Sequence, residues 1–203
     1  MGPSAGKLKT ALGLASPLEK RVLLVGPNAA GKTTLLYGLK LGFDSKLTTM
    51  PTIGFNVETI TRKLESLTVW DLGLRSKMRP LVRHYCASSD AFIFMVDATD
   101  REFFWDAEEL FEYTRRGLQE HDRDTVPCLV FANKSDHPSA MSLQEISDRL
   151  SLPEAAKTCP VHVQPCDAKT GEGVEAGLDF LARAKGVGLW FGARSPTDSP
   201  AAP

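Results

Sequence analysis

The stretch GPNAAGKT, Gly26 to Thr33, fits the spacing G-x-x-x-x-G-K-[ST], and residues of those types in that order can hold a phosphate chain. Small side chains let successive backbone N–H groups wrap around phosphate oxygens at the start of a helix, whose partial positive charge favours anions. The phosphate-binding set is Asn28, Ala29, Ala30, Gly31, Lys32, Thr33 and Thr34, with the amides from Ala29 onward doing the cradling. Pro27 has no N–H to offer, which its early place in the loop makes tolerable. Lys32 reaches for the β and γ phosphates, and the Thr33 hydroxyl for Mg²⁺. A loop of this kind does not choose between ATP and GTP, or between a kinase, a motor and a switch.

That choice falls to Asn133-Lys134-Ser135-Asp136, which follows the apolar run CLVFA. A carboxylate such as Asp136 accepts two hydrogen bonds from the N1–H and exocyclic amine of guanine, whereas adenine offers no such donor pair. The alkyl stem of Lys134 can cover the base, and Asn133 can tie this loop to the phosphate loop. Four residues alone also read as an ordinary polar turn. Their spacing, N-K-x-D, resembles the guanine-reading motif of the Ras-like GTPases. One strand-helix unit further on, Cys166-Asp167-Ala168-Lys169-Thr170-Gly171 resembles the S-A-K loop of the same proteins. That resemblance implies that the Ala168 N–H meets guanine O6 and that Lys169 packs on the base, with Asp167 where serine or cysteine is usual.

Elements able to position these residues are visible as apolar periodicity. Arg21 to Val25 reads as a fully buried strand, followed by a loop and a helix through about Lys40. FNVETITRK and SLTVW read as two antiparallel strands joined by a tight turn near Leu64 to Ser66. Then AFIFMVD, a helix from Arg101 to about Gln119, CLVFANK, a helix from about Ser142, VHVQ and a helix from about Glu172 to Ala184 alternate strand with helix. The alternation predicts an α/β fold with a six-stranded, mostly parallel sheet and helices on both faces, and the resemblance to Ras-like GTPases implies the three-layer P-loop NTPase arrangement. Residues 1–19 form an N-terminal amphipathic segment, 20–184 the nucleotide-binding domain, and 185–203 a flexible Pro/Ser/Ala-rich tail in which Trp190 and Phe191 can dock locally.

Composition narrows the classes. The chain has 203 residues, 42% of them hydrophobic, which suits one core; 24 basic against 25 acidic residues give no global attraction to nucleic acid. Cys86, Cys128, Cys159 and Cys166 lack CxxC spacing and read as reduced cytosolic thiols. The longest apolar runs fall well short of the roughly 20 residues that span a bilayer.

Together with GxxAAGKTT, the stretch PTIGFNVE at 51–58, Trp70-Asp71-Leu72-Gly73 and Arg79-Pro80-Leu81-x-Arg83-His84-Tyr85 closely resemble the Arf and Arf-like branch of small GTPases, over about Leu8 to Ala184. The resemblance implies that Thr52 is a switch I ligand to Mg²⁺ and that Asp71, preplaced at a strand end opposite Thr33, holds the metal through water. It implies too that Phe55, Trp70 and Tyr85 face effectors. In family members, exchange of GDP for GTP slides the strand pair near Phe55 to Trp70 and releases the N-terminal helix. A P-loop kinase or other ATP enzyme would need an adenine-compatible base loop, which Asn133 and Asp136 argue against.

Two departures fall on the γ-phosphate sensor. The family follows Trp-Asp-x-Gly with Gly-Gln; here Leu74 and Arg75 stand in those places. Leucine lacks the conformational freedom by which glycine aims its N–H. Arginine has donors but no acceptor with which to hold an attacking water. The expectation is slow intrinsic GTP hydrolysis, with no catalytic residue assigned; the alternative is a non-cycling pseudo-GTPase that keeps guanine nucleotide as a structural ligand. Arg75 acting in cis as an arginine finger is a sharper variant, and a solvated arginine the blander one. Asn28 replaces the family's usual aspartate. Gly2 stands where Arf proteins carry myristate, although Pro3 and Gly6 depart from the M-G-x-x-x-[ST] pattern. Expected are a monomer in the cytoplasm with reversible, peripheral membrane contact through its N-terminus, and effectors and exchange factors as partners.

Overall fold

The computed structural model describes residues 18–43, 49, 52, 54–62, 65–72, 79–184 and 188–192. In chain order the elements are β1 (Leu18–Val25), α1 (Lys32–Leu41), β2 (Phe55–Arg62), β3 (Glu65–Leu72), α2 (Arg79–Cys86), β4 (Ala91–Asp97), α3 (Phe104–Gln119), β5 (Cys128–Asn133), α4 (Leu143–Arg149), α5 (Leu152–Ala155), β6 (Pro160–Cys166), α6 (Val174–Arg183) and β7 (Gly188–Phe191). The sheet order is β2-β3-β1-β4-β5-β6-β7. Only the β2–β3 pair is antiparallel; every other pair is parallel.

The sheet has seven strands where six were expected. The extra strand, β7, lies in the span read as tail and pairs in parallel with β6, from Pro160↔Gly188 to Val163↔Phe191. Leu189 packs against the core, and the Gly192 N–H continues the ladder to the Val163 carbonyl at 2.8 Å. A second difference is α2, whose residues had been read only as a family motif. Its Pro80 sits in the first turn, where a missing N–H costs nothing.

Strand alternation divides the core in two. Phe92, Phe94 and Val96 of β4 face one layer, with Val82 and Cys86 of α2, Phe111 and Leu110 of α3, and Ile146 of α4. Ile93 and Met95 face the other, with Leu35 and Leu36 of α1 and Val174, Leu178 and Leu181 of α6. Both faces of the parallel strands are therefore covered, which is why β4 and β5 read as unbroken apolar runs. In α3 the buried positions Phe104, Ala107, Leu110, Phe111, Thr114 and Leu118 recur at three and four residues, the stripe that fixes which side meets the sheet. Ser142 caps α4 by accepting from the Glu145 N–H at 3.1 Å, half of a capping box. The four cysteines are free and buried, and burial pushes the Cys86 thiol up to about 12. Among the described residues no helix is long and apolar enough to cross a membrane.

Candidate functional site: a cleft at the carboxyl ends of the strands

Parallel strands present their carboxyl ends, and the loops after them, along one edge of the sheet. The chain crosses from β3 on one side of β1 to β4 on the other, and a crevice opens where strand order reverses in this way. Here it is a cleft of about 760 Å³. Asn28, Ala29, Gly31, Lys32, Thr33 and Thr34 line it from the loop after β1, and Asn133, Lys134, Asp136, Ala168 and Lys169 from the loops after β5 and β6. Thr52 lines it near Thr33. The two predicted ligand-reading regions, a hundred residues apart in sequence, thus share one cavity.

The phosphate end is shaped by backbone geometry. Gly31 has φ 103°, and a Cβ there would stand 2.3 Å from the Asn133 Nδ2. Ala29 also takes a left-handed φ of 61°. These turns feed directly into α1, whose first residue is Lys32. The Lys32 ammonium is buried and donates to the Gly26 and Pro27 carbonyls, each at 2.7 Å. Burial pushes it down to about 8, against the opposing pull of Asp71 and Asp106. A desolvated ammonium hydrogen-bonded to neutral carbonyls is a strong donor to an anionic oxygen.

Behind it lies an oxygen cluster. The Thr33 hydroxyl meets the Thr52 hydroxyl at 2.7 Å and donates to Asp71 Oδ2 at 2.8 Å. Thr52 reaches the same carboxylate oxygen at 3.4 Å, and Asn56 Nδ2 reaches Thr52 at 3.5 Å. Asp71 is fully buried, and its Oδ1 has no hydrogen-bond partner. The β1–β3 register that pairs Leu24 with Asp71 brings this carboxylate beside the phosphate loop. Two hydroxyls gathered on one oxygen of a buried carboxylate whose other oxygen has no partner make an oxygen-rich set that fits a hard divalent cation such as Mg²⁺.

At the base end one side chain joins three segments. Asn133 Nδ2 donates to the Ala30 carbonyl at 2.8 Å, while its Oδ1 accepts from the Ala168 N–H at 2.9 Å. A base carbonyl over Ala168 therefore shares that donor with Asn133. Lys134, at φ 60°, pairs with Asp97 at the end of β4. Burial raises the Asp97 carboxyl, but the bonds from Lys134 and Thr99 outweigh it and hold the group below its ordinary range. Asp136 is exposed at the mouth of the cleft, with its carboxylate available to a ligand. Asp167 folds its own loop: its Oδ1 accepts from the Lys169 N–H at 2.8 Å, and its backbone carbonyl accepts from the Gly171 N–H at 2.8 Å. The unusual aspartate thus does the local work of a turn.

Phe55 on β2, Trp70 on β3 and Tyr85 on α2 form one aromatic patch, with ring centroids 5.0 to 6.1 Å apart. Phe55 is 49% exposed. The Arg21 guanidinium stands 5.3 Å over the Trp70 ring. Leu74, Arg75 and Gly2 lie outside the described residues.

Sequence reading missed Thr49, Thr99 and His137, which also line the cleft, and Asp97, the partner of Lys134. Thr49 meets the Thr34 hydroxyl at 3.2 Å. For Asp97 a signal existed: an acidic residue closing an apolar strand points to the ligand edge of a parallel sheet.

The sequence profile of the ADP-ribosylation factor family matches residues 8–185. Among solved structures the chain is similar to the Arl6 BBS3 small GTPase from Trypanosoma brucei, determined with bound nucleotide analogue GppNp. That pair is 27% identical, with a TM-score of 0.71 over 81% of this chain and 95% of the other. A match spanning β1 to β6, the helices and every loop that meets in the cleft, and stopping short of β7, leaves one assignment: the chain belongs to the ADP-ribosylation factor family and has its small-GTPase fold.

Proposed function

We propose that this protein is a Mg²⁺-dependent guanine-nucleotide switch with slow intrinsic GTP hydrolysis. The observation that carries the reading is the Asn133 carboxamide, which bonds the phosphate loop with one end and the base loop with the other, inside a cavity large enough for a nucleotide. Amides of the loop and the Lys32 ammonium bind the phosphates, Asp136 selects guanine, and Lys134 and Lys169 flank the base. Thr33, Thr52 and Asp71 would hold Mg²⁺, which neutralises phosphate charge when bound. Leu74 and Arg75, in the places of the family's glycine and glutamine, leave no side chain to orient an attacking water.

The first experiment is to identify the nucleotide that co-purifies and to compare affinities for GDP, a GTP analogue and ADP. Guanine nucleotides in preference to ADP are expected; a protein indifferent to all three refutes the reading. A sharper probe uses inosine nucleotides, which lack the exocyclic amine. Losing one charged hydrogen bond is worth about 1.5–3 kcal/mol, so GDP should bind roughly 10- to 100-fold tighter than IDP. In Asp136→Ala that preference should vanish, with GDP and IDP bound equally and both more weakly than IDP by wild type, because the N1–H bond is lost as well.

Lys32 gives the binding a pH dependence. Burial pushes the Lys32 ammonium down from its ordinary 10.5 to about 8. Lys32 therefore opposes folding in full below pH 8, and the opposition fades as pH rises from about 8 to 10.5. Phosphate oxygens favour the ammonium. Nucleotide affinity should accordingly be flat below pH 8 and fall by up to about tenfold per pH unit above it, with uptake of up to about one proton on binding. Calorimetry at pH 9 in buffers of different ionisation heat measures that proton, and zero uptake would contradict the assignment.

Leu74 and Arg75 also favour a second reading, a non-cycling pseudo-GTPase. Equal affinities for GDP and a GTP analogue would support it, because a ligand without differential affinity shifts no equilibrium. In the switch reading, the patch of Phe55, Trp70 and Tyr85 receives effectors, exchange factors act on the nucleotide, and the monomer sits in the cytoplasm. Its N-terminal segment, with or without an acyl chain on Gly2, makes peripheral and reversible membrane contact.

A further inference from the structure

The match to the family profile ends at residue 185, and β7 begins beyond it, on the open side of β6. Little apolar burial holds this strand. Trp190 and Phe191 stand 42% and 45% exposed, while Leu189 packs against the core. The Trp190 ring meets Phe180 of α6 at 5.9 Å between centroids, and Phe180 stacks on His162 of β6 at 4.9 Å. Ordering the backbone costs about 1–2 kcal/mol per residue, so a short strand with these few contacts belongs to the low-stability end of the sheet and opens locally while the central strands stay closed.

Its seat leads to the base loop. The rung after Val163↔Phe191 sets Gly192 beside Gln164, and no side chain fits there: a Cβ on Gly192 would stand 1.9 Å from Gln164 Oε1. The other end of that carboxamide faces Gly173, the residue before α6, where a Cβ would come within 3.2 Å of Nε2. Held between two bare backbones, Gln164 is 1% exposed; its Oε1 accepts from His162 Nε2 at 3.1 Å, and its Nε2 donates to the Pro165 carbonyl at 3.1 Å. Pro165 precedes Cys166, the last residue of β6, and the loop that follows brings Asp167, Ala168 and Lys169 to the cleft. A buried amide that loses its cover must repack or meet water. Either change frees the Pro165 carbonyl and the root of the loop whose Ala168 N–H is held by Asn133.

We propose that β7 is a latch on the base loop. Seated, it covers the Gln164 carboxamide with Gly192 and keeps Ala168 and Lys169 in place; lifted, it lets that loop loosen and the nucleotide leave. The stretch 188–192 thereby sets the rate of GDP release from the far side of the sheet, with β4, β5 and β6 between it and β1. Linkage makes the effect mutual, so a nucleotide retained by the seated strand must itself favour seating. The latch rests on the guanine-nucleotide reading of the cleft.

The test uses the full chain. Leu189→Asp lifts the strand by its core-facing side chain without touching Gln164, and Gly192→Val presses on the carboxamide directly. Release of a fluorescent GDP, chased with excess GDP in Mg²⁺, should speed up by about tenfold in both, within the range of coupled sites. Leu189→Met, which keeps the packing, should stay within about twofold of wild type. The Mg²⁺ concentration that half-maximally slows release should not move, because Thr33, Thr52 and Asp71 lie outside the latch. In wild type, GDP should slow hydrogen exchange at the Gly192 amide by a factor similar to the change in release, with β4 and β5 equally protected in every variant. Release at the wild-type rate in both Leu189→Asp and Gly192→Val would overturn the latch, and so would a Mg²⁺ midpoint that shifts together with the rate, the mark of a generally loosened fold. A wild type that binds no guanine nucleotide sinks the proposed function and the latch together; normal GDP binding with unmoved release sinks the latch alone.

Discussion

Changing Leu74→Gly together with Arg75→Gln is expected to raise single-turnover GTP hydrolysis by about 10²- to 10⁴-fold, the worth of a positioned group that orients water and meets developing charge. Each residue supplies a separate part. Glycine regains the backbone freedom to turn its N–H toward the γ-phosphate. Glutamine supplies an acceptor for the water's proton and a donor for the charge that builds up in transfer, a combination arginine cannot offer. Either single change should recover less than the pair, because a water without an aimed amide, or an amide without a water, completes only half of the arrangement. GDP affinity should change little, since GDP has no γ-phosphate for that amide to meet. The experiment is a quench-flow or phosphate-sensor trace on protein preloaded with GTP. Equal and fast rates in wild type and double variant would refute the expectation of slow hydrolysis.

Truncating Lys32→Ala should weaken GDP and GTP binding by about 10²- to 10³-fold. Removing one partner of a desolvated, charged hydrogen-bond pair costs about 2–5 kcal/mol, and each 1.4 kcal/mol is tenfold. Loss of binding and loss of fold separate cleanly here. The ammonium donates to the Gly26 and Pro27 carbonyls at the cleft, and burial already works against its charge. Removing it relieves that burial while freeing two carbonyls to meet water, so the ligand-free melting temperature should shift by only a few degrees. Fluorescence titration and thermal melts with and without GDP measure both. A large drop in ligand-free stability, with affinity retained, would show that the lysine serves the loop and not the phosphate.

The order of strands and helices and both ends of the cleft were legible because they are written in local chemistry. A fully buried parallel strand such as AFIFMVD needs apolar residues on both faces, and a phosphate loop needs small residues before a lysine. What escaped depends on partners distant in sequence. β7 is four residues in a glycine-flanked stretch, and only its pairing with β6 makes it a strand. Short runs of this kind carry no periodicity to read. α2 opens on Arg79-Pro80, which punctuates more strongly than it signals a helix. The partner of Asp97 is Lys134, 37 residues away. Charge on a strand end says that a partner exists, not where it comes from.

The Asn133 bridge has a kinetic consequence. Because its carboxamide bonds Ala30 with one end and Ala168 with the other, the two halves of the cleft are held together by the protein's own contacts. Preorganisation of this sort removes an ordering cost from association and leaves the encounter rate governed by diffusion and phosphate charge. Differences in nucleotide affinity among cleft variants should then be written in residence time, while arrival stays nearly constant.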